Sequence, residues 1–157
     1  MLIALRSVGR ELSTSCLLPA SPKEREAFLA AARVGVLVVA SSGEPPLALP
    51  MWYDYEPGGL ISFITARDSS KAAAIRGAQQ VGLCVHSDEY PYKYVSVWGP
   101  VTEIQETVTE ADRRALARRY LGSHGGDRYV AERIDATPLM MIVRMGPERW
   151  LSQDQSR

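Results

Sequence analysis

Three apolar, β-branched runs follow one another between residues 34 and 65 with only turn chemistry between them. "VGVLVVAS" (34–41), "LALPMWYDY" (47–55) and "LISFIT" (60–65) are separated by "SGEPP" (42–46) and "EPGG" (56–59). Parallel strands need a crossover of about a dozen residues or more, whereas connectors this short can only reverse the chain onto its neighbour. The segment therefore predicts an antiparallel meander. Pro50 cannot donate a ladder hydrogen bond, so it marks an edge, a bulge or a strand break.

The rest of the chain fits the same plan. "SPKE" (21–24) is a capping box with proline at the first helical position, and Ala27, Phe28, Ala31 and Ala32 follow at helical spacing. That pattern predicts a helix from 22 to about 33. "SSKAAAIRGA" (69–78) reads as a short helix closed by Gly77, and "VGLCVHS" (81–87) and "YVSVWGPVTEI" (94–104) as the fourth and fifth strands. "TEADRRALARRYLG" (109–122) runs as a helix from a Thr-x-x-Asp cap to a glycine. A shorter helical stretch near 127–134 precedes a final strand, "PLMMIVRM" (138–145). The expected architecture is mainly β: a six-stranded antiparallel barrel with helical decorations, in one domain over 21–157. Residues 1–20 have weak periodicity and read as a loosely held N-terminal extension.

Composition narrows the function classes. With 18 Lys+Arg against 18 Asp+Glu in 157 residues, no global field recruits a nucleic acid, so any anion site must be local. Cys16 and Cys84 are too few for a disulfide framework or a zinc site. Arg6, Arg10 and Glu11 interrupt the apolar start of the chain, and no run approaches the about 20 apolar residues of a membrane span. No secretory leader, no membrane and a cytoplasmic location are the expectations. His86 and His124 lie in different contexts and suggest neither a metal site nor a histidine-based triad. "RRALARR" (113–119) follows Glu106, Glu110 and Asp112 without aromatics beside it, and reads as a solvated helix face.

Two stretches carry candidate chemistry. In "ISFITARDSSKAAAIR" (61–76) a strand passes into a helix whose first amides form a ready anion site. The hydroxyls of Thr65, Ser69 and Ser70 surround that site, and Arg67 and Lys71 stand at the same end. Cations there oppose the helix dipole, a conflict that a bound phosphate would turn into complementarity. The plain alternative is a capped surface helix with solvated basic residues, Asp68 pairing with one of them. No glycine pattern precedes Lys71, so a nucleotide P-loop is excluded. In "ALPMWYDY" (48–55) a strand break coincides with aromatics. Trp52 and Tyr53 are placed to pack on a flat ring and Pro50 and Met51 to offer backbone to its polar edge. The alternative there is core packing of Leu47, Leu49 and Met51.

Taken in order, "LALPMWYDYEPGGLISFITARDSSKAAAIR", "VGLCVHSDEYPYKYVSVWGPV" and the closing "PERWLS" resemble the flavin- and deazaflavin-dependent split-barrel oxidoreductases of the pyridoxamine 5′-phosphate oxidase-like superfamily, over roughly residues 22–152. The resemblance implies that Leu49, Pro50, Met51 and Trp52 lie along an isoalloxazine or deazaflavin ring, and that Thr65, Ser70 and Lys71 hold the cofactor phosphate. It further implies a homodimer with the cofactor between subunits, Tyr94 approaching it from the partner chain. The cofactor would be FMN or the deazaflavin coenzyme F420, passing hydride or electrons to a small organic acceptor. A flavin- or heme-binding module without turnover is the alternative. Arg67, Arg76 and Lys93 could serve the acidic tail of the deazaflavin coenzyme or be plain surface charges. The chain departs from true pyridoxamine phosphate oxidases in reading Ser70-Lys71 where those have an Arg-Lys pair. It also lacks their C-terminal arginine and histidine motif, which argues against oxidation of vitamin B6 itself.

Overall fold

The structure, a computed structural model, describes residues 20–40, 43, 45–78 and 80–156. The expected N-terminal extension, with Cys16, therefore lies outside the described residues apart from Ala20, as do Ser42 and Glu44 of the first expected turn.

The elements in chain order are α1 (Pro22–Ala30), β1 (Gly35–Val39), β2 (Leu47–Met51), β3 (Ile61–Ala66), α2 (Ser70–Ala78), β4 (Gln80–His86), β5 (Lys93–Gln105) and α3 (Glu110–Ala131). A 3₁₀ turn (Ile134–Leu139), β6 (Met140–Met145) and β7 (Arg149–Asp154) complete the chain. The capping box read at Ser21 and the Thr-x-x-Asp cap read at Thr109 both form, the second also as a full capping box. The Ser21 hydroxyl accepts from the Glu24 N–H, and the Thr109 hydroxyl from the Asp112 N–H, while each acidic side chain accepts from its cap's backbone N–H.

The six strands expected from the sequence form one antiparallel path, β2-β1-β4-β5-β6-β3, and a seventh, β7, pairs with β5 off that path. β5 is long enough to serve two sheets. Its first half lies between β4 and β7, and its second half pairs with β6 after a register shift between Val101 and Glu103. Such an irregularity bends a strand and increases its twist, which is what curls the path into a half-barrel. The terminal strands β2 and β3 do not pair with each other among the described residues; one bridge joins the segment after β2 to β3, where Asp54 and Ser62 exchange backbone hydrogen bonds at 2.8 and 2.9 Å. The barrel is split along that seam. Pro50 sits on the terminal strand, where a missing donor costs the ladder least.

Side chains alternate as the pleat requires. Leu37, Val39, Ile61, Phe63, Leu83 and Val97 point into one core, which Leu29 of α1 and Ala72 and Ile75 of α2 close. The segment 47–55, expected as one strand, ends as a strand at Met51, yet Met51, Tyr53 and Tyr55 continue the inward alternation. The helix expected over 109–122 breaks at Gly122 as read, because φ 71° there suits glycine. Helix then resumes directly rather than near 127. The second segment folds back, so that Asp127 pairs with Arg118 at 2.7 Å and with Arg114 at 3.3 Å.

β7 is fastened at its end by Asp154, whose carboxylate takes the Ser156 hydroxyl at 2.5 Å and the Lys93 ammonium at 2.9 Å. The Ser156 hydroxyl first, with Lys93 and the Ser156 N–H, lowers the Asp154 pKa from 3.8 to about 2. A carboxyl with a depressed folded-state pKa contributes stability that is present above its unfolded pKa and lost as pH falls through the folded one. Asp154→Asn should therefore lower the melting temperature at neutral pH, with the gap to the native protein shrinking between about pH 4 and pH 2. Thermal melts across that range test it, and a gap independent of pH would deny the carboxylate this role.

Candidate functional site along the seam

The seam left open by β2 and β3 is roofed by α3. Tyr120 fixes the helix there: its hydroxyl accepts from the Tyr53 N–H at 3.0 Å and lies 3.0 Å from the Arg33 carbonyl oxygen and 2.9 Å from that of Tyr53. Arg119 adds an ion pair to Asp54 at 3.2 Å and a hydrogen bond to the Ala30 carbonyl. Beneath this roof lies a cavity of 370 Å³. Pro50, Met51 and Trp52 form one wall, Ile64 and Met140 another, and Leu116, Ala117, Tyr129 and Arg113 close it from the helix side. The lining is apolar and aromatic apart from Arg113, the pattern of a site for a flat organic group with few polar anchors.

At the end of β3 the chemistry changes. The Thr65 hydroxyl is buried and has no hydrogen-bond partner among the described residues. Ser69 caps α2, its hydroxyl accepting from the Ala72 N–H at 3.1 Å and donating to the Ala66 carbonyl at 2.8 Å. Ser70 is exposed at the first helical position. Burial pushes the pKa of the Lys71 ammonium down, and no ion pair to it forms among the described residues. An uncompensated, partly desolvated cation at a helix N-terminus is favourable only beside an anion.

Arg67 and Arg76 have other work. The Arg67 guanidinium donates to the carbonyls of Glu106 and Pro138, and Arg76 pairs with Glu106 while donating to the Arg67 carbonyl. Together they tie the β3–α2 turn and the last turn of α2 to the β5–α3 connection. Lys93, the third cation considered for an acidic tail, is paired with Asp154.

The structure thus gathers Pro50, Met51 and Trp52 into one cavity and places Thr65, Ser69, Ser70 and Lys71 at the end of β3 and the start of α2. Leu49 packs against the core instead, and Tyr94 lines a separate 290 Å³ cavity beside Phe28 and Gln153. Two expectations are corrected. Tyr53 is not placed to stack on a ring: it is fully buried, with its hydroxyl donating to the Leu29 carbonyl at 2.7 Å, and burial pushes its pKa up. The Trp52 indole already stacks on Tyr120, with centroids 5.0 Å apart and planes 5° apart, and meets Tyr129 at 5.3 Å. The "RRALARR" face is likewise not wholly solvated, since Arg113 and Ala117 are buried against the seam. The missed cavity residues were signalled by Arg113, Leu116, Ala117 and Tyr120, one helical stripe at spacings of three and four.

An antiparallel path that curls without closing, with an apolar cavity along its open seam, defines a split barrel of the pyridoxamine 5′-phosphate oxidase-like type. The chain belongs to the pyridoxamine 5′-phosphate oxidase family, whose profile matches residues 21–149. Among solved structures it is similar to a conserved hypothetical protein of Mycobacterium tuberculosis, with 24% identity over 90% of this chain and 88% of that one and a TM-score of 0.68. An F420 reductase matches at 21% identity over 80% and 94% of the two chains, with a TM-score of 0.66. An FAD-binding protein of Mesorhizobium loti matches at 20% over 88% and 96%, with a TM-score of 0.63. No curated protein sequence matches this chain. No helix among the described residues is long and apolar enough to cross a membrane.

Proposed function

We propose that this protein is a homodimeric oxidoreductase that holds FMN or the deazaflavin coenzyme F420 along the seam and passes hydride or electrons to a small organic acceptor. The observation that carries the reading is the apolar cavity bounded by Pro50, Met51 and Ile64, with Thr65 following Ile64 on β3 and the uncompensated Lys71 at the start of α2. The donor set fits such a group. The unpartnered Thr65 hydroxyl, the Ser70 hydroxyl and the Lys71 ammonium would hold a phosphate, while Pro50, Met51, Ile64 and Met140 would border a ring. When bound, the cofactor supplies the hydride or electron chemistry, and the protein contributes orientation and exclusion of water. An F420 reductase and an FAD-binding protein of the same fold support the class without choosing between cofactors. Ser70-Lys71 in place of the Arg-Lys pair points away from vitamin B6 as the substrate.

Calorimetric titration of the purified protein with FMN and with F420 tests the reading. Tighter F420 binding directs the search to reductase substrates, and tighter FMN binding to oxidase or flavin-reductase chemistry. Failure to bind either overturns the reading.

The dimer rests on the outer face of the sheet. Register places Val36 and Val38 of β1, Ala48 and Pro50 of β2, Cys84 of β4, Trp98 of β5 and Leu151 of β7 on that one face, opposite the core. Trp98 and Leu151 are 37% and 52% exposed, and a second copy of the chain would cover them and bring Tyr94 towards the partner. Leu151→Arg should give a monomer by light scattering at micromolar protein. A variant that remains dimeric would move the interface elsewhere.

A further inference from the structure

Arg113 is the one charged residue on the wall of the seam cavity, and it is only 6% exposed. Burying a guanidinium is costly unless it is paired, and the usual partner is a carboxylate. None reaches it. Its Nη1 donates to the Arg133 carbonyl and the Thr137 hydroxyl, both at 2.6 Å, and these neutral acceptors take the two Nη1 hydrogens without neutralising the charge. The carboxylates near it in sequence are engaged elsewhere: Asp112 caps Thr109, Glu110 pairs with Arg114, and Asp127 pairs with Arg114 and Arg118.

The geometry left over is specific. Anchoring through Nη1 leaves Nε and Nη2 without a hydrogen bond among the described residues, and these two form the side edge of the guanidinium that takes a carboxylate in a two-point contact. The remaining walls, Trp52, Tyr129, Leu116 and Ala117, suit a flat apolar body.

We infer that Arg113 is a binding residue for the anionic end of the substrate, and that the substrate class is small, planar, conjugated or aromatic carboxylates. In calling this ligand the acceptor, the inference rests on the cofactor reading above.

The test compares two probes of one shape and different charge, trans-cinnamate and trans-cinnamamide, by calorimetric titration at neutral pH. The native protein should bind the carboxylate at least about tenfold more tightly than the amide. Arg113→Gln should remove that preference, because the amide keeps hydrogen-bonding capacity but carries no charge. Equal binding of the two probes by the native protein, no binding of either, or a preference that survives in Arg113→Gln would overturn the inference. If Arg113→Gln does not fold, Arg113→Lys keeps the charge but loses the two-donor edge, and should reduce the preference. An undiminished preference in Arg113→Lys would then overturn the two-point contact. Cofactor binding without carboxylate preference overturns this inference alone, and carboxylate preference without cofactor binding overturns the cofactor reading alone.

Discussion

Gly99→Ala should destabilise the fold by about 3 kcal/mol, the upper end of what overpacking costs, because the neighbour it meets is backbone and cannot rotate away. Gly99 lies on β5 just before the strand passes from one sheet to the other, and the turn between β6 and β7 crosses directly over it. A Cβ there would fall inside the van der Waals shell of the Gly146 carbonyl oxygen and come within 3.3 Å of the Glu148 nitrogen. Two hydrogen bonds hold the crossing turn in place, Gly146 N–H to the Pro100 carbonyl and Glu148 N–H to the Trp98 carbonyl, both at 3.0 Å. The methyl can be accommodated only by breaking them and lifting β7 from β5. Denaturant unfolding of Gly99→Ala beside Gly77→Ala, whose added Cβ meets nothing within 4 Å, measures the difference. Equal stabilities would mean that the turn yields freely.

Lys71→Ala should weaken binding of FMN or F420 by about 2 kcal/mol, roughly thirtyfold, if the ammonium pairs with a phosphate oxygen. The same substitution should leave the protein without cofactor as stable as before, or slightly more so. Lys71 makes no ion pair among the described residues, and its pKa is lowered by desolvation, so its charge is a small burden on the empty fold. Stability and affinity are thus expected to move in different directions, which a purely structural lysine would not produce. Calorimetry and thermal melts on one preparation read both. Unchanged affinity would remove Lys71 from the site.

The strands were legible because their residues do two jobs at once. In "VGVLVV", "LISFIT" and "VGLCVH" β-branched or aromatic residues alternate between core and outer face, so local preference and burial agree. β7 was missed for the opposite reason. "RWLSQD" has mixed polarity, and it is strand because β5 offers a free edge and because Trp150 packs on the core and against Tyr55 at 6.3 Å. The second half of α3 was displaced in the same way. "GSHGGD" is poor helix material, and ion pairs back to Arg114 and Arg118 fasten it.

The candidate site divides along the same line. Pro50 on an edge strand and Ser69 as a helix cap follow from the chemistry of single residues, which a sequence states directly. The seam does not, because it exists only where the two ends of a six-strand path approach with a single bridge beside them, and that depends on how far the sheet curls. The fate of each cation was equally out of reach. Arg67, Arg76, Arg113 and Lys71 look alike in a string of letters, yet two are tied into neighbouring chain, one stands buried at the cavity wall and one lacks a counter-ion. By itself the sequence determined the antiparallel strands, their order along the chain and the places where helices begin, since these follow from interactions between residues a few positions apart. Tertiary structure alone decided that α3 would roof the seam, cover Trp52 with Tyr120 and bury Arg113, because those contacts join residues far apart in the chain through the space between them.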